Sequence, residues 1–415
     1  MNHLIIGTGP AGVIAAETLK KHAPDSNVTL IGDEPEPPYS RMAIPYYLID
    51  KIGEEGTWLR GEHHFDGLGI RVIGQRVEVV NPISRTVELD NGDTLTWDRL
   101  LIASGSRPAT PPVPGVELPQ VRHCWTLEDA RQIAARARPG ASVVLMGAGF
   151  IGCIVLEALH RRGVDLTVVE TGDRMVPRML NETAGNMVKA WSERKGVTVH
   201  TSTSVEGIDE ATDDRVAVRL DNGETVVADL VIAATGVRPN IDFVAESGLE
   251  IRQGVVVDQR MQTSHDDIYA AGDVAEGRDF STGGYSVQAI QPTAVDHGRI
   301  AALNMAGIAT EHQGSINMNV LDTLGLITTS FGQWMGVEGG DQVERHNPAD
   351  WKYINLRFAD DHLVGASTVG MTEHVGVIRG LIQNRTRLGR WKARLMNDPT
   401  RLMEAWVGIT ENVSR

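Results

Sequence analysis

Two short glycine-rich stretches carry the residue types and spacing closest to chemistry in this sequence. Gly7-Thr8-Gly9-Pro10-Ala11-Gly12 follows the apolar run His3-Leu4-Ile5-Ile6, and Gly147-Ala148-Gly149-Phe150-Ile151-Gly152 follows Ser142-Val143-Val144-Leu145-Met146. In such a turn the first glycine allows the tight bend, the second lets a pyrophosphate reach the backbone, and the third lets helix and strand pack closely. The helix beginning there offers free N–H groups and its positive dipole end to phosphate oxygens. Each turn is followed by a second apolar strand that ends in an acid. Val28-Thr29-Leu30-Ile31 leads to Gly32-Asp33-Glu34, where Asp33 or Glu34 is placed to accept ribose hydroxyls. Asp165-Leu166-Thr167-Val168-Val169 leads to Glu170, 23 positions after Gly147, near the roughly 20 expected of a ribose-binding acid. A single glycine-rich turn joins strand to helix in many proteins. Repetition of strand, turn, helix, strand and acid points to two dinucleotide sites.

The elements that must hold these turns alternate between strand and helix, which makes the fold class α/β with two Rossmann-like dinucleotide-binding domains. Helices are expected to run to about Lys21 and about Arg162. Beyond residue 312, Asn317 to Ser330 and Tyr353 to Thr368 read as strands, the latter turning at Asp360-Asp361, and the tail from about His374 reads as helical. That stretch is expected to be a C-terminal α+β domain. A chain of 415 residues with 41% hydrophobic residues and 44 glycines exceeds one ordinary core and divides into two or three domains. Pro108 to Pro114, with four prolines in seven residues, suits a crossing between them.

Composition narrows the function classes. Apolar stretches are broken well before the roughly 18 residues that a membrane helix needs, so no membrane span is expected. The sequence starts almost at once on Leu4-Ile5-Ile6, leaving no signal-peptide pattern, and a cytoplasmic location is the expectation. Two cysteines, Cys124 and Cys153, exclude a disulfide scaffold and an all-cysteine metal or iron–sulfur site. A formal charge of −15 argues against nonspecific nucleic-acid binding. The adjacent His63 and His64 diverge on a strand or a helix and read as surface or core residues rather than ligands.

The sequence resembles the FAD-dependent pyridine nucleotide oxidoreductases over its whole length, most of all the reductases of rubredoxin and oxygenase-type ferredoxins and the flavin part of NADH-dependent nitrite reductases. Gly32-Asp33-Glu34-Pro35 through Pro38-Tyr39-Ser40-Arg41 is similar to the family's adenosine and isoalloxazine contact region. Ala103-Ser104-Gly105 and Ala234-Thr235-Gly236 are similar to its two crossings, and Ala271-Gly272-Asp273-Val274 to its second FAD motif. The likeness implies a glutathione-reductase-like FAD/NAD(P) fold. It puts an FAD domain at 1–112 and 240–312, a nicotinamide domain at 113–239 and an interface domain at 313–415. It assigns FAD to Gly7, Gly9, Pro10, Ala11, Gly12, Asp33, Glu34, Arg41, Ala103, Ser104, Gly105, Asp273 and Val274, and to Pro292 on a helix whose dipole would stabilise anionic reduced flavin. It assigns the nicotinamide nucleotide to Gly147, Gly149, Phe150, Ile151, Gly152, Glu170 and Gly236.

Glu170 favours NADH over NADPH, because a carboxylate accepts from a free 2′-hydroxyl and repels a 2′-phosphate; Arg174 and Arg178 follow closely and are placed to oppose that preference. Two departures from the family pattern shape the functional reading. Met42 stands where thiol-using relatives keep a redox cysteine, and a thioether forms no thiolate or disulfide. Cys153, on the helix after the second turn, reads as a packing residue. Electrons should therefore leave the flavin directly. The second departure is Ile154, at a position where the family usually has a glutamate; Glu157, one turn later, is either a partial substitute or a solvated acid.

The expected function is an NADH-dependent flavoprotein reductase passing electrons through FAD to an iron–sulfur or rubredoxin-type protein or a partner subunit. The alternatives are a nitrite-reductase-like flavin subunit or NADH oxidase, and a flavin-bearing assembly or sensor protein with a vestigial nicotinamide site. Between Arg379 and Arg401 stand Arg379, Arg385, Arg387, Arg390, Lys392, Arg394 and Arg401 against one acid, Asp398. This run suits docking of an acidic electron carrier; it equally suits a solvated helical face or an intersubunit contact in a homo-oligomer. Trp391 within it is either an aromatic anchor or helix core.

Overall fold

The computed structural model describes residues 1–413, with side chains through Thr410. The chain forms two compact units, Met1–Pro108 with Val237–Ser315, and Ala109–Gly236 with Ile316–Arg415.

In the first unit, five strands run parallel in the order Ile268–Ala270, Arg99–Ile102, Asn2–Ile6, Asn27–Gly32 and Ile70–Gly74. Their continuous apolar character follows from burial on both faces, as in Leu4, Ile5, Leu30, Leu100, Leu101 and Ile102. Helix Pro10–His22 packs against helix Gln291–Met305. Gly298 permits this approach, since a Cβ there would fall on the Ala11 carbonyl. Together these elements build one core.

The second unit repeats the plan. Its parallel sheet has the order Thr198–His200, Asp165–Val169, Ser142–Met146, Leu230–Ala233 and Val121–Arg122. Each parallel sheet has an antiparallel ribbon inserted before its returning strand: Val77–Asn81, Thr86–Leu89 and Thr94–Thr96 in the first, Val205–Glu210, Val216–Leu220 and Thr225–Ala228 in the second.

Residues 316–415 have their own antiparallel sheet, in the order Met318–Thr323, Leu326–Gly332, His362–Val369, Lys352–Ala359 and Asp341–Asn347, followed by helices Val375–Gln383, Arg390–Asn397 and Leu402–Val413. Contacts group this segment, expected from the sequence to be a C-terminal α+β interface domain, with residues 109–236. Strand Met318–Thr323 packs on helix Phe150–Arg161, and polar ties join the two parts: Asn181 Nδ2–H donates to the Tyr353 hydroxyl at 2.6 Å, Trp191 Nε1–H to Leu324 O at 3.1 Å, and Leu324 N–H to Glu157 at 2.5 Å. Strand Asp341–Asn347 was not anticipated, because six of its seven side chains are exposed and the polar sequence carries no two-residue apolar alternation.

Candidate dinucleotide sites

The first turn is held by its own backbone. Gly7 has φ 118° and its N–H donates to Ile31 O at 2.7 Å. A Cβ on Gly7 would fall on the carbonyl of Ala103, and one on Gly12 would fall on that of Gly7. Gly9, by contrast, has nothing within 4 Å of a built Cβ. The outer glycines are thus required by packing, and the middle one faces open space of the kind a pyrophosphate needs. Helix Pro10–His22 starts with proline in its first turn and no capping side chain, which leaves its N–H groups available to an anion.

Around this turn the residues assigned to FAD separate into two clusters. Glu34 is tied down: its carboxylate pairs with Arg41 Nη2 at 2.5 Å and accepts from the Tyr39 hydroxyl, which itself accepts from Arg41 Nη1 at 2.9 Å. Asp33 is 54% exposed and 3.5 Å from Arg76. Of the two acids left open by the sequence, Asp33 is the one whose oxygens remain accessible. The second cluster lies at Asp273, whose Oδ2 accepts from Ser106 Oγ at 2.8 Å. Burial raises the Asp273 carboxyl above its ordinary pKa, and the Ser106 hydroxyl and Arg41 charge pull it back. Val274 and Ala103 are buried. Ser104 exchanges hydrogen bonds with Asn240, its Oγ–H to Asn240 O and Asn240 Nδ2–H to Ser104 O, each at 2.9 Å, beside Gly105 at φ 67°. Pro292 lies in the first turn of helix Gln291–Met305, whose Gln291 accepts from Ser40 Oγ at 2.8 Å. Ser106, Tyr39 and Asn240 were missed as participants. Tyr39 and Ser106 do lie inside or beside motifs that the sequence had marked.

The second turn copies the first and then adds a clamp. Gly147, φ 99°, donates to Val169 O at 2.8 Å, and a Cβ there would lie 2.6 Å from Ala234 O. Gly149 again faces open space, while Gly152 lies against Gly147 O. Phe150 and Ile151 open the helix, and both are partly exposed. Glu170 is 7% exposed. Its Oε2 accepts from Ala148 N–H at 2.6 Å and its Oε1 from Gly172 N–H at 2.7 Å. Oε1 also accepts from the Thr171 hydroxyl at 3.4 Å, so it is Oε2 that keeps a further lone pair with which to meet a ribose hydroxyl. The Ala148 carbonyl accepts from Val176 N–H at 2.8 Å, so the loop after Glu170 is fastened to the turn at both ends of one residue. Arg174 is engaged by Asp173 at 2.6 Å and by Leu180 O at 2.9 Å, and Arg178 is exposed. Gly236, φ 116°, accepts from Ala109 N–H at 2.8 Å. An open cradle over each middle glycine, bordered by acids, fits a dinucleotide at both turns.

The remaining candidates find definite places. Ile154 is partly exposed. Glu157, its side chain 20% exposed, holds Arg161 at 2.7 Å and Leu324 N–H at 2.5 Å. Met42 is 49% exposed on the short helix Arg41–Ala43. Burial, with Asp129 beside Cys124 and Glu170 beside Cys153, pushes both thiols up to about 12, where neither forms a useful thiolate. His64 binds Glu17 at 2.8 Å, and among the described residues no cluster suited to a metal occurs. In the basic run, Lys392 pairs with Asp341 at 2.7 Å and Arg401 with Glu404. Arg379, Arg385, Arg387, Arg390 and Arg394 are exposed. Trp391 is 7% exposed and turns inward, with the Arg394 guanidinium 4.5 Å from its ring centroid. No described helix is long and apolar enough to cross a membrane.

A model of the pyridine nucleotide-disulphide oxidoreductases matches residues 1–298. The epsilon subunit of the NADH-dependent phenylglyoxylate dehydrogenase of Aromatoleum evansii is 30% identical over 401 residues, 96% of this chain and 95% of that one. Rhodocoxin reductase of Rhodococcus erythropolis is 34% identical over 316 residues, 75% of this chain and 74% of that one. Putidaredoxin reductase, in the crystal structure of its covalent complex with putidaredoxin, is similar with a TM-score of 0.91 and 26% identity across 99% of both chains. The chain belongs to the pyridine nucleotide-disulphide oxidoreductase family and is an FAD- and NADH-dependent oxidoreductase.

Proposed function

We propose that the protein takes a hydride from NADH onto FAD and passes the electrons singly to a small iron–sulfur protein or a partner subunit. The observation that carries this reading is the lack of a usable thiol: burial keeps Cys124 and Cys153 protonated, and by the family likeness Met42 stands where thiol-using relatives keep a redox cysteine. FAD, when bound, supplies the conversion from a two-electron donor to one-electron release. The chain's own residues bind and orient. The first turn takes the FAD pyrophosphate, Asp33 its ribose and Asp273 the ribityl chain. The second turn takes the NADH pyrophosphate, with Glu170 at the adenosine ribose. Anaerobic titration tests this: stoichiometric NADH should bleach the yellow flavin, and NADPH should do so only at much higher concentration. An absence of bleaching supports the assembly or sensor alternative.

The acceptor is assigned to the exposed part of the basic run. Helix Arg390–Asn397 opens on Arg390, with Lys392 also in its first turn and no acid there, an arrangement that opposes the helix dipole. An acidic carrier would be drawn to this face by attraction that salt screens beyond about 10 Å at 0.1 M. Reversing Arg387 and Arg390 to glutamate should slow acceptor reduction and flatten its salt dependence while NADH still reduces the flavin. An unchanged rate and salt slope would leave the intersubunit reading.

A further inference from the structure

Leu324 sits at the tip of a hairpin in which Thr323 pairs with Leu326. Leu324 and Gly325 have φ 54° and 88°, a two-residue turn that ordinarily takes Asn-Gly. A leucine in left-handed backbone is held there by its surroundings. Its side chain is 8% exposed, and both of its main-chain groups are taken by different helices. The N–H donates to Glu157 Oε2 at 2.5 Å, and the carbonyl accepts from Trp191 Nε1–H at 3.1 Å.

The first of these helices opens on the second dinucleotide turn, and the second follows the loop that is bonded to that turn. Glu157 lies on Phe150–Arg161, which opens at Gly149; Trp191 lies on Glu182–Arg194, which opens at Asn181 after the loop carrying Glu170. That loop is bonded to Ala148 through Glu170 and Val176. Trp191 is itself fixed, edge to face with Trp351 at 5.0 Å and under Lys195 Nζ at 4.7 Å. The strand leading to the tip, Met318–Thr323, packs along Phe150–Arg161. One turn residue of the C-terminal sheet therefore ties the helix that opens on the Gly147–Gly152 loop to the helix that follows the Glu170 loop.

We propose that Glu157, Trp191 and Leu324 form a positioning clamp that sets the affinity of the second turn for NADH. The proposal rests on the reading that this turn holds NADH. The carboxylate bond is the stronger arm, since hydrogen bonds to a charged group contribute more than neutral ones.

The test is equilibrium titration of the full-length FAD-loaded protein with NADH under anaerobic conditions, followed by binding calorimetry with NAD+ as a readout independent of flavin reduction. Glu157→Ala and Trp191→Phe should each raise Kd about five- to tenfold with FAD content unchanged. Glu157→Gln should fall between the parent and Glu157→Ala, because its amide oxygen still accepts the Leu324 N–H but without the charge. The double variant should bind little worse than the weaker single one, since both arms act through one residue. Unchanged Kd in folded variants, a glutamine as damaging as alanine, or fully additive effects would each overturn the clamp; should Glu157→Ala fail to fold, Trp191→Phe, which removes one donor, decides. Gly149→Ala separates the two levels of the claim. If it leaves Kd unaltered, the nucleotide reading itself fails; if it weakens binding while the clamp variants do not, only the clamp fails.

Discussion

The two glycine turns share one skeleton and differ in how they are fastened. Their helices correspond position by position: Gly7 with Gly147, Gly12 with Gly152, Val13 with Cys153, Ile14 with Ile154, Glu17 with Glu157. The first glycine of each bonds the preceding residue's counterpart in the second strand, Ile31 or Val169, which makes Gly32 the structural partner of Glu170. Here the halves part. Thr8 fills the space beside Gly32, where a Cβ would lie 2.6 Å from the Thr8 hydroxyl. The smaller Ala148 leaves that space to the Glu170 carboxylate, which enters and takes its N–H. Glycine spacing thus reports the shared backbone, and the residue after the first glycine decides whether an acid can be built into the turn.

The largest expected effect separates packing glycines from ligand glycines. Gly7→Ala combines a positive φ with a collision against the Ala103 backbone, and should cost roughly 3 kcal/mol or more, read as loss of FAD and a fall in Tm. Gly9→Ala meets nothing within 4 Å, so Tm of the FAD-free protein should hold while FAD content drops. If Gly9→Ala is as unstable as Gly7→Ala, the open space over the middle glycine is not a ligand cradle.

Acid should break the halves apart. His3, His297 and His312, all in the first unit, are driven down by burial, His3 to about 4 and His297 to about 3. His297 faces the His312 ring at 4.8 Å and Ser315 at 3.3 Å, and among the described residues no acid pairs with it. These imidazoles stay neutral when folded and bind protons once unfolded. Their penalty is absent above the unfolded pKa of 6.5 and accumulates as pH falls toward the folded values. At pH 4.5 His297 alone should remove roughly 3 kcal/mol. Flavin fluorescence should therefore report FAD release below pH 6, and His297→Phe should move that release to lower pH; an unshifted release midpoint would clear His297 of the effect.

Glu170 and Asp33 sharpen the contrast at smaller scale. In Glu170→Gln the amide NH2 must face either Ala148 N–H or Gly172 N–H, which breaks one of two bonds, the first buried and the second partly so. A loss of about 1–3 kcal/mol should divide between Tm and a several-fold rise in KM for NADH. Asp33→Asn, at an exposed pair 3.5 Å from Arg76, should cost less than about 1 kcal/mol and lower FAD affinity modestly. Equal effects at the two positions would mean that the turns are fastened alike.

These contrasts also mark what the sequence could convey. The alternation of buried strands with glycine turns and helices was legible because both parallel sheets bury long apolar runs and both turns need glycine for backbone reasons. The motif around Asp273 was read in another way, through the likeness of a short, specific stretch of chain to a family motif. Long-range polar ties were not. Nothing local says that Glu157 reaches Leu324, 167 residues on, or that Ser106 meets Asp273, 167 residues on. Ties of the same kind join residues 316–415 to the rest of the second unit. Strand Asp341–Asn347 escaped because an exposed edge strand with polar side chains lacks the apolar period by which strands are read.

The smallest effect should come from the thiols, and the comparison of turns says why. Cys153 stands where the first helix has Val13; both are buried, at 0% and 1% exposure. The Cys153 Sγ–H has the Ala148 carbonyl at 3.6 Å and the Thr323 hydroxyl beside it, weak contacts beside the apolar fit. A valine should fit this site as it does in the first helix, so Cys153→Val should shift stability by less than about 1 kcal/mol. Serine there must bury a more polar group on the same distant carbonyl and hydroxyl and should cost somewhat more. Neither change touches an electron path if electrons leave the flavin without a thiol. The Cys124→Ser/Cys153→Val protein should therefore reduce both its flavin and the acceptor at parental rates in stopped-flow traces. Normal flavin reduction with stalled acceptor reduction would instead show that a buried cysteine carries electrons, and that the likeness of Cys153 to Val13 ends at shape.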